Sequence, residues 1–230
     1  MVKNIKSFSD PIIPYTFNGV YPPSDDTYLI LDYFKKNVNE NFFDELPITT
    51  IRKILDMGTG TGIIALFLQE IKKYLSKFTT KIFASDISDA AIRCATLNER
   101  SNNYKDNITF IKSNLFRKFP PSLQHSFDII IFNPPYLPSI SRKENNLIRR
   151  RNDSNWDGGE RGFEVFIEFI NQVKDFLNTK QKFYIYYISS SSTDLSQLND
   201  ELETRGFQNR ILNTSHVFFE DIILNRLEEL

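Results

Sequence analysis

The sequence predicts an α/β fold, a parallel sheet with helices on both faces. Three observations carry that prediction. Apolar runs rich in Ile, Leu and Phe alternate with longer amphipathic stretches, the pattern of successive β and α units. The 230 residues are 40% hydrophobic, enough for one sizeable core. The glycine- and proline-rich motifs fall just after apolar runs, at the carboxyl ends of strands, where such sheets hold ligands.

Taken in order, residues 1–24 carry Pro11, Pro14, Pro22 and Pro23 and read as an irregular arm. Asp25–Asn39 reads as a helix with Asp25 or Asp26 near its N-cap and an apolar set of Leu29, Ile30, Leu31, Tyr33 and Phe34. Arg52–Met57 is a strand. Gly62–Lys77 is a helix whose apolar face holds Ile64, Leu66, Phe67 and Ile71. Lys81–Ile87 is a strand, and Ser88 caps a helix over Ser88–Ser101. Ile108–Ser113 and Phe127–Phe132 are strands. After a polar stretch, Phe163–Leu177 is a helix, Phe183–Ser189 a strand, and Thr193–Thr204 a helix closed by Gly206. Phe207–Asn213 and Val217–Leu224 form an antiparallel pair, with His216 in the turn between them and His125 in a loop.

Composition narrows the classes of function. The net charge is -1, unlike the basic footprint of a protein that grips nucleic acid by its backbone. One cysteine, Cys94, permits no internal disulfide and no thiolate zinc cluster; it reads as a small buried apolar residue on a helix. No metal site is expected. The longest apolar runs, such as Ile63–Leu68, fall far short of a membrane span, and no signal-like apolar core opens the chain. The expectation is one domain over residues 1–230, in a cytoplasmic, reducing compartment.

The first motif is "ILDMGTGTG", Ile54–Gly62, a strand running into Gly58, Gly60 and Gly62 and then a helix. Such glycines permit a tight turn and close approach of backbone to a ligand. The spacing is not the G-x-G-x-x-G of a dinucleotide site, and Asp56 just before the loop is awkward beside a pyrophosphate. A carboxylate there suits a cationic or amine-bearing ligand. One strand later, in "FASDIS", Asp86 stands where a carboxylate accepts both hydroxyls of a ribose; the alternative is an Asp that helps to cap the helix at Ser88.

The second motif is "NPPY", Asn133–Tyr136, ending a strand of four apolar residues. Asn133 offers a side-chain carbonyl and Pro134 its backbone carbonyl. Two acceptors can hold the two N–H bonds of a planar NH2 group and aim its nitrogen. Pro134 and Pro135 fix φ and stiffen the loop before the substrate arrives, and Tyr136 offers a flat face. No general base is evident.

Asp56, the glycines and Asp86 together resemble the S-adenosylmethionine site of class I methyltransferases. That resemblance implies a seven-stranded Rossmann-like sheet of order 3-2-1-4-5-7-6 with the last strand antiparallel. It implies a cofactor site of Thr27, Asp56, Gly58, Thr59, Gly60, Gly62, Asp86, Ile87, Asn114, Leu115 and Asn133. In "SNLF", Asn114 stands where the family usually has Asp. "NPPY" in this place resembles the signature of enzymes that methylate planar nitrogens, which implies Asn133, Pro134 and Tyr136 as catalytic residues.

"VYPPSDDTYLILDYF", Val20–Phe34, resembles the amino-terminal segment of the eukaryotic and archaeal release factor glutamine methyltransferases, relatives of HemK/PrmC, through Pro23, Asp25, Asp26 and Thr27; Pro22 departs from the pattern. "WDGGERGFEVFIEFI", Trp156–Ile170, resembles the segment that follows "NPPY" there. The resemblance implies N5-methylation of a protein glutamine, the Gly-Gly-Gln glutamine of a class 1 release factor. Its substrate face comprises Asn133, Pro134, Pro135, Tyr136 and Trp156. It also implies a small zinc-binding activator subunit as partner, lying on the edge strand Ile108–Ser113, with Ile108, Phe110 and Leu115 as the covered apolar surface. An adenine also presents a planar NH2, so an adenine-N6 methyltransferase acting on DNA or RNA stays open, as does another protein side chain. Against nucleic acid, no target-reading domain fits, and the one basic run, Arg149–Arg151, lies in a polar loop.

Overall fold

The computed structural model describes residues 8–103, 107–139, 157–217 and 219–230. Elements follow in the order α1 (Asp25–Asn37), β1 (Phe42–Phe43), β2 (Leu46–Pro47), β3 (Lys53–Met57), α2 (Ile63–Tyr74), β4 (Lys81–Asp86), α3 (Asp89–Ser101), β5 (Ile108–Lys112), β6 (Ile129–Phe132), α4 (Glu164–Val173), β7 (Tyr184–Ser190), α5 (Leu195–Thr204), β8 (Phe207–Val217) and β9 (Glu220–Glu229). A single turn of 3₁₀ helix at Pro121–Leu123 precedes β6. Residues 8–24 form an arm without helix or strand.

Seven strands make the main sheet in the order β5-β4-β3-β6-β7-β9-β8. Numbered from β3, that reads 3-2-1-4-5-7-6. The first five pair in parallel, while β9 runs antiparallel to both its neighbours. Side chains alternate across the pleat. Ile129 and Ile131 therefore join the core under α1 and α2, and Ile130 and Phe132 join the core under α4 and α5. All four are buried, which is why β6 reads as an unbroken apolar run.

Three expectations are corrected. The final hairpin is longer and shifted: β8 runs on to Val217 and β9 extends to Glu229, so Val217 closes the first strand rather than opening the second. His216 is not in the turn; it lies in β8, with Nδ1 2.8 Å from Asp221 Oδ1 across the pair. Asp25 and Asp26 stand in the first turn of α1 beside its N-cap Ser24, near the N-cap as expected, and Asp26 is buried. Helices α1, α2 and α4 also stop two to four residues short of the expected ends.

At the amino end of β7, Arg226 of β9 is fully buried. It stacks on the Tyr184 ring at 4.0 Å and donates to Asp44, to Glu45 at 3.1 Å and to Glu228 at 2.6 Å. Tyr33 and Tyr186 donate to the same Asp44 carboxylate. This cluster fastens the small β1–β2 hairpin under the sheet, at the end away from the glycine loop.

Candidate active site

The carboxyl ends of β3, β4, β5 and β6 surround a cavity of about 380 Å³, within the ~300–1,000 Å³ range of small-molecule sites. Gly58, Thr59 and Gly60 form its floor after β3. Asp86 and Ile87 follow β4, and Asn114 and Leu115 follow β5. Asn133, Pro134, Pro135 and Tyr136 follow β6, and Tyr21, Asp26 and Thr27 approach from the arm and α1. The fold thus brings together residues from five separate segments. Trp156 and Arg149–Arg151 lie outside the described residues.

Two expected site residues do not reach the wall. Asp56 sits beneath the loop, 1% exposed, where Oδ2 accepts from Thr59 Oγ1 at 2.6 Å and from the Ala65 N–H at 3.2 Å. Its Oδ1 is buried with no partner. Burial, partly opposed by those two hydrogen bonds, pushes its pKa up to about 7. Gly62 caps α2 with φ 89°, and a Cβ there would come within 2.9 Å of Ala95 Cβ. Its conformation and the close packing of α2 on α3 demand glycine.

Asp86 is both a brace and a wall residue. Its Oδ2 accepts from the Gly60 N–H at 3.0 Å and its Oδ1 from the Ser88 N–H at 2.8 Å. Burial raises its pKa against those bonds. Ser88 itself caps α3, accepting from the Ala91 N–H. Leu115 adopts φ 46°, a left-handed conformation that a branched side chain rarely takes. Ile87 is 63% exposed, an apolar side chain held open on the wall.

The Asn133–Tyr136 loop is held from several sides. Thr193 Oγ1 donates to the Tyr136 carbonyl at 3.1 Å, and the Tyr136 hydroxyl donates to Asp26 Oδ2 at 3.1 Å. The segment from Asp157 backs the loop: Gly158 N–H donates to the Leu137 carbonyl and Ser139 N–H to the Gly159 carbonyl. A Cβ on Gly162 would lie 2.6 Å from the Tyr136 carbonyl oxygen, so these glycines serve close approach of two backbones. Within this fixed loop, Asn133 Oδ1 is buried and has no hydrogen-bond partner. A buried acceptor left open in a stiff loop is poised for a donor that arrives with a ligand.

The electrostatics select the charge of that ligand. Asp26, Asp86 and Glu168 line the cavity, and no Lys, Arg or His stands among its described lining residues. Such a wall opposes a phosphate and favours a cation. Sequence reasoning passed over Tyr21 and read Asp26 as a helix-start residue and part of the amino-terminal family pattern, with no partner; its hydrogen bond with Tyr136 spans 110 residues of chain.

Comparison with known proteins agrees with this geometry. Residues 37–150 match the family described as methyltransferase small domain. A Methanocaldococcus jannaschii protein provisionally named protein N5-glutamine methyltransferase is 30% identical over 205 residues, 89% of each chain. The eRF1 methyltransferase catalytic subunit mtq2 of Schizosaccharomyces pombe is 30% identical over 196 residues, 83% of this chain and 81% of that one. Among solved structures, an E. cuniculi Mtq2–Trm112 complex described as methylating the eRF1 translation termination factor superposes with a TM-score of 0.60. The identity there is 22%, over 92% of this chain and 99% of that one, a likeness of fold.

Proposed function

This chain belongs to the HemK/PrmC-related family of protein N5-glutamine methyltransferases, and from that premise we propose that it methylates the Gly-Gly-Gln glutamine of a class 1 translation release factor. The observation that carries this reading is the open, buried Oδ1 of Asn133 at the end of β6, inside a cavity walled by carboxylates. The cofactor is S-adenosylmethionine, and the residues present fit it: the wall is acidic and the ligand carries a sulfonium and an ammonium group. When bound, that group supplies an electrophilic methyl on a positively charged sulfur.

Asp86 would accept the ribose hydroxyls. Ile87, Asn114 and Leu115 would hold the adenine. Thr27, Gly58, Thr59 and Gly60 would hold the remainder, while Asp56 and Gly62 act from behind by shaping the loop. Asn133 Oδ1 and the Pro134 carbonyl accept the two N–H bonds of the glutamine amide and point its nitrogen at the methyl. These hydrogen bonds strengthen as positive charge grows on nitrogen, which lowers the barrier electrostatically. Pro134 and Pro135 hold the geometry in advance, and Tyr136 borders the flat amide. The surplus proton becomes acidic after transfer and leaves to water.

The mtq2 name speaks of a catalytic subunit, and the E. cuniculi structure is a complex. By analogy this chain, acting as one domain in the cytoplasm, takes a small zinc-binding activator on the outer edge of β5. No described helix is long and apolar enough to cross a membrane.

The test is direct. The chain, alone and with its activator, is incubated with methyl-labelled cofactor and in turn with release factor, a Gln→Ala release factor, DNA and RNA. Label on the glutamine nitrogen by mass spectrometry supports the proposal. Salt-sensitive label on nucleic acid, with none on release factor, transfers the assignment to adenine.

A further inference from the structure

Asp26 is 2% exposed, and none of the described salt bridges includes it. Both of its oxygens accept hydrogen bonds. Oδ1 accepts from the backbone N–H and the hydroxyl of Thr27. Oδ2 accepts from two phenols, Tyr21 at 3.0 Å and Tyr136 at 3.1 Å. Tyr21 belongs to the arm that crosses the glycine loop, where its carbonyl oxygen lies 3.5 Å from the position of a Cβ on Gly60. Tyr136 belongs to the substrate loop. One carboxylate oxygen therefore ties the segment that covers the cofactor site to the segment that faces the acceptor.

Tyr136 is pinned at both ends, its carbonyl by Thr193 and its phenol by Asp26. The two bonds hold the backbone and the hydroxyl, so they fix the line from Cβ to the phenol oxygen and with it the position of the ring in the loop. Burial and the neighbouring carboxylate both raise the pKa of Tyr136, so the phenol stays a donor and takes no part as a base.

Resting on the glutamine reading above, we propose that Asp26 is a positioning residue for methyl transfer: its carboxylate clamps Tyr21 and Tyr136 together, so that the ordered arm sets the position of the acceptor-facing ring. The ring's flat face is then necessary without being sufficient.

The experiment compares Asp26→Asn, Tyr136→Phe and the double variant; both keep shape, Asp26→Asn removing the charge and one of the two acceptor oxygens and Tyr136→Phe removing the donor. Tyr136→Phe keeps the ring and loses the tether. At saturating cofactor, kcat on a Gly-Gly-Gln release factor falls about tenfold to a hundredfold in each single variant, the scale of a misplaced reacting group, with KM for the factor unchanged. The double variant is no slower than the worse single variant. Urea unfolding of the ligand-free chains gives a second readout: the two substitutions depart from multiplicative behaviour by about twofold to a hundredfold in the unfolding constant, as contacting groups do. Tyr21→Phe, which loosens the arm from the other side, lowers kcat in the same direction. Multiplicative unfolding constants, or a Tyr136→Phe chain that turns over at the wild-type rate, overturn the clamp. A wild-type chain that leaves glutamine unmethylated counts against the glutamine reading instead; the ligand-free cycle still decides whether the clamp exists, and kcat is then compared on the acceptor the wild type does methylate.

Discussion

Asn133 closes β6 with an acceptor that the protein itself leaves open. Truncating it to Ala removes that acceptor and nothing the glycine loop needs. Turnover should fall by roughly 10²–10³, the range for losing one group that stabilises the transition state. Cofactor affinity, measured by calorimetry, should hold. Asp56 behaves differently because it is sealed under the loop. Its pKa is about 7 in the folded chain, against about 3.9 when unfolded. Between these values the folded state holds a proton that the unfolded state has released. Stability therefore falls as pH rises from about 4 to about 7 and levels off above that. Denaturant midpoints across that window should show the fall, and Asp56→Asn, which carries no charge at any pH, should flatten it by one proton.

At the scale of elements, the β1–β2 hairpin owes its place to charge. Arg226 is buried against Asp44, Glu45 and Glu228, and aromatic rings cover the cluster. Breaking a buried ion pair from one side costs about 3–5 kcal/mol, because it strands the remaining charges. Arg226→Ala should lose about that much in urea unfolding. Arg210→Ala, whose pair with Glu45 is half exposed, should lose less than about 1 kcal/mol. The hairpin was invisible in the sequence for a plain reason. Its strands are two residues each, too short for any periodic signal, and its anchor lies 182 positions away. The segment that carries Gly158, Gly159 and Gly162 was legible as a family motif. That its glycines let one backbone pass 2.6 Å from where a Cβ would sit is a fact of packing alone.

For the whole molecule, the sheet leaves β5 at one edge and β8 at the other. The apolar surface expected on β5 is smaller than its sequence suggests: Ile108 and Leu115 are buried, and Phe110 is partly packed against the core under α1 and α2. What β5 offers an activator is therefore mostly its open backbone edge, with Phe110 as the half-covered anchor. Phe110→Lys should abolish co-purification with the activator while the chain stays folded, losing about 1–2 kcal/mol in urea unfolding as the half-covered ring gives up part of its packing. A chain that binds as before assigns the contact to another face. The sequence by itself determined the alternation of strands and helices, the two motifs at strand ends and the family. Those signals are local, written in periodicity and in residues whose backbone chemistry is distinctive, Gly, Pro and Asn among them. Only the tertiary structure decided that Asp56 and Gly62 stand behind the site rather than on it, that Asp26 joins the arm to the substrate loop, and that Arg226 anchors the hairpin. Each of those depends on side chains far apart in the chain, and burial sets their partners only once the strands have stacked.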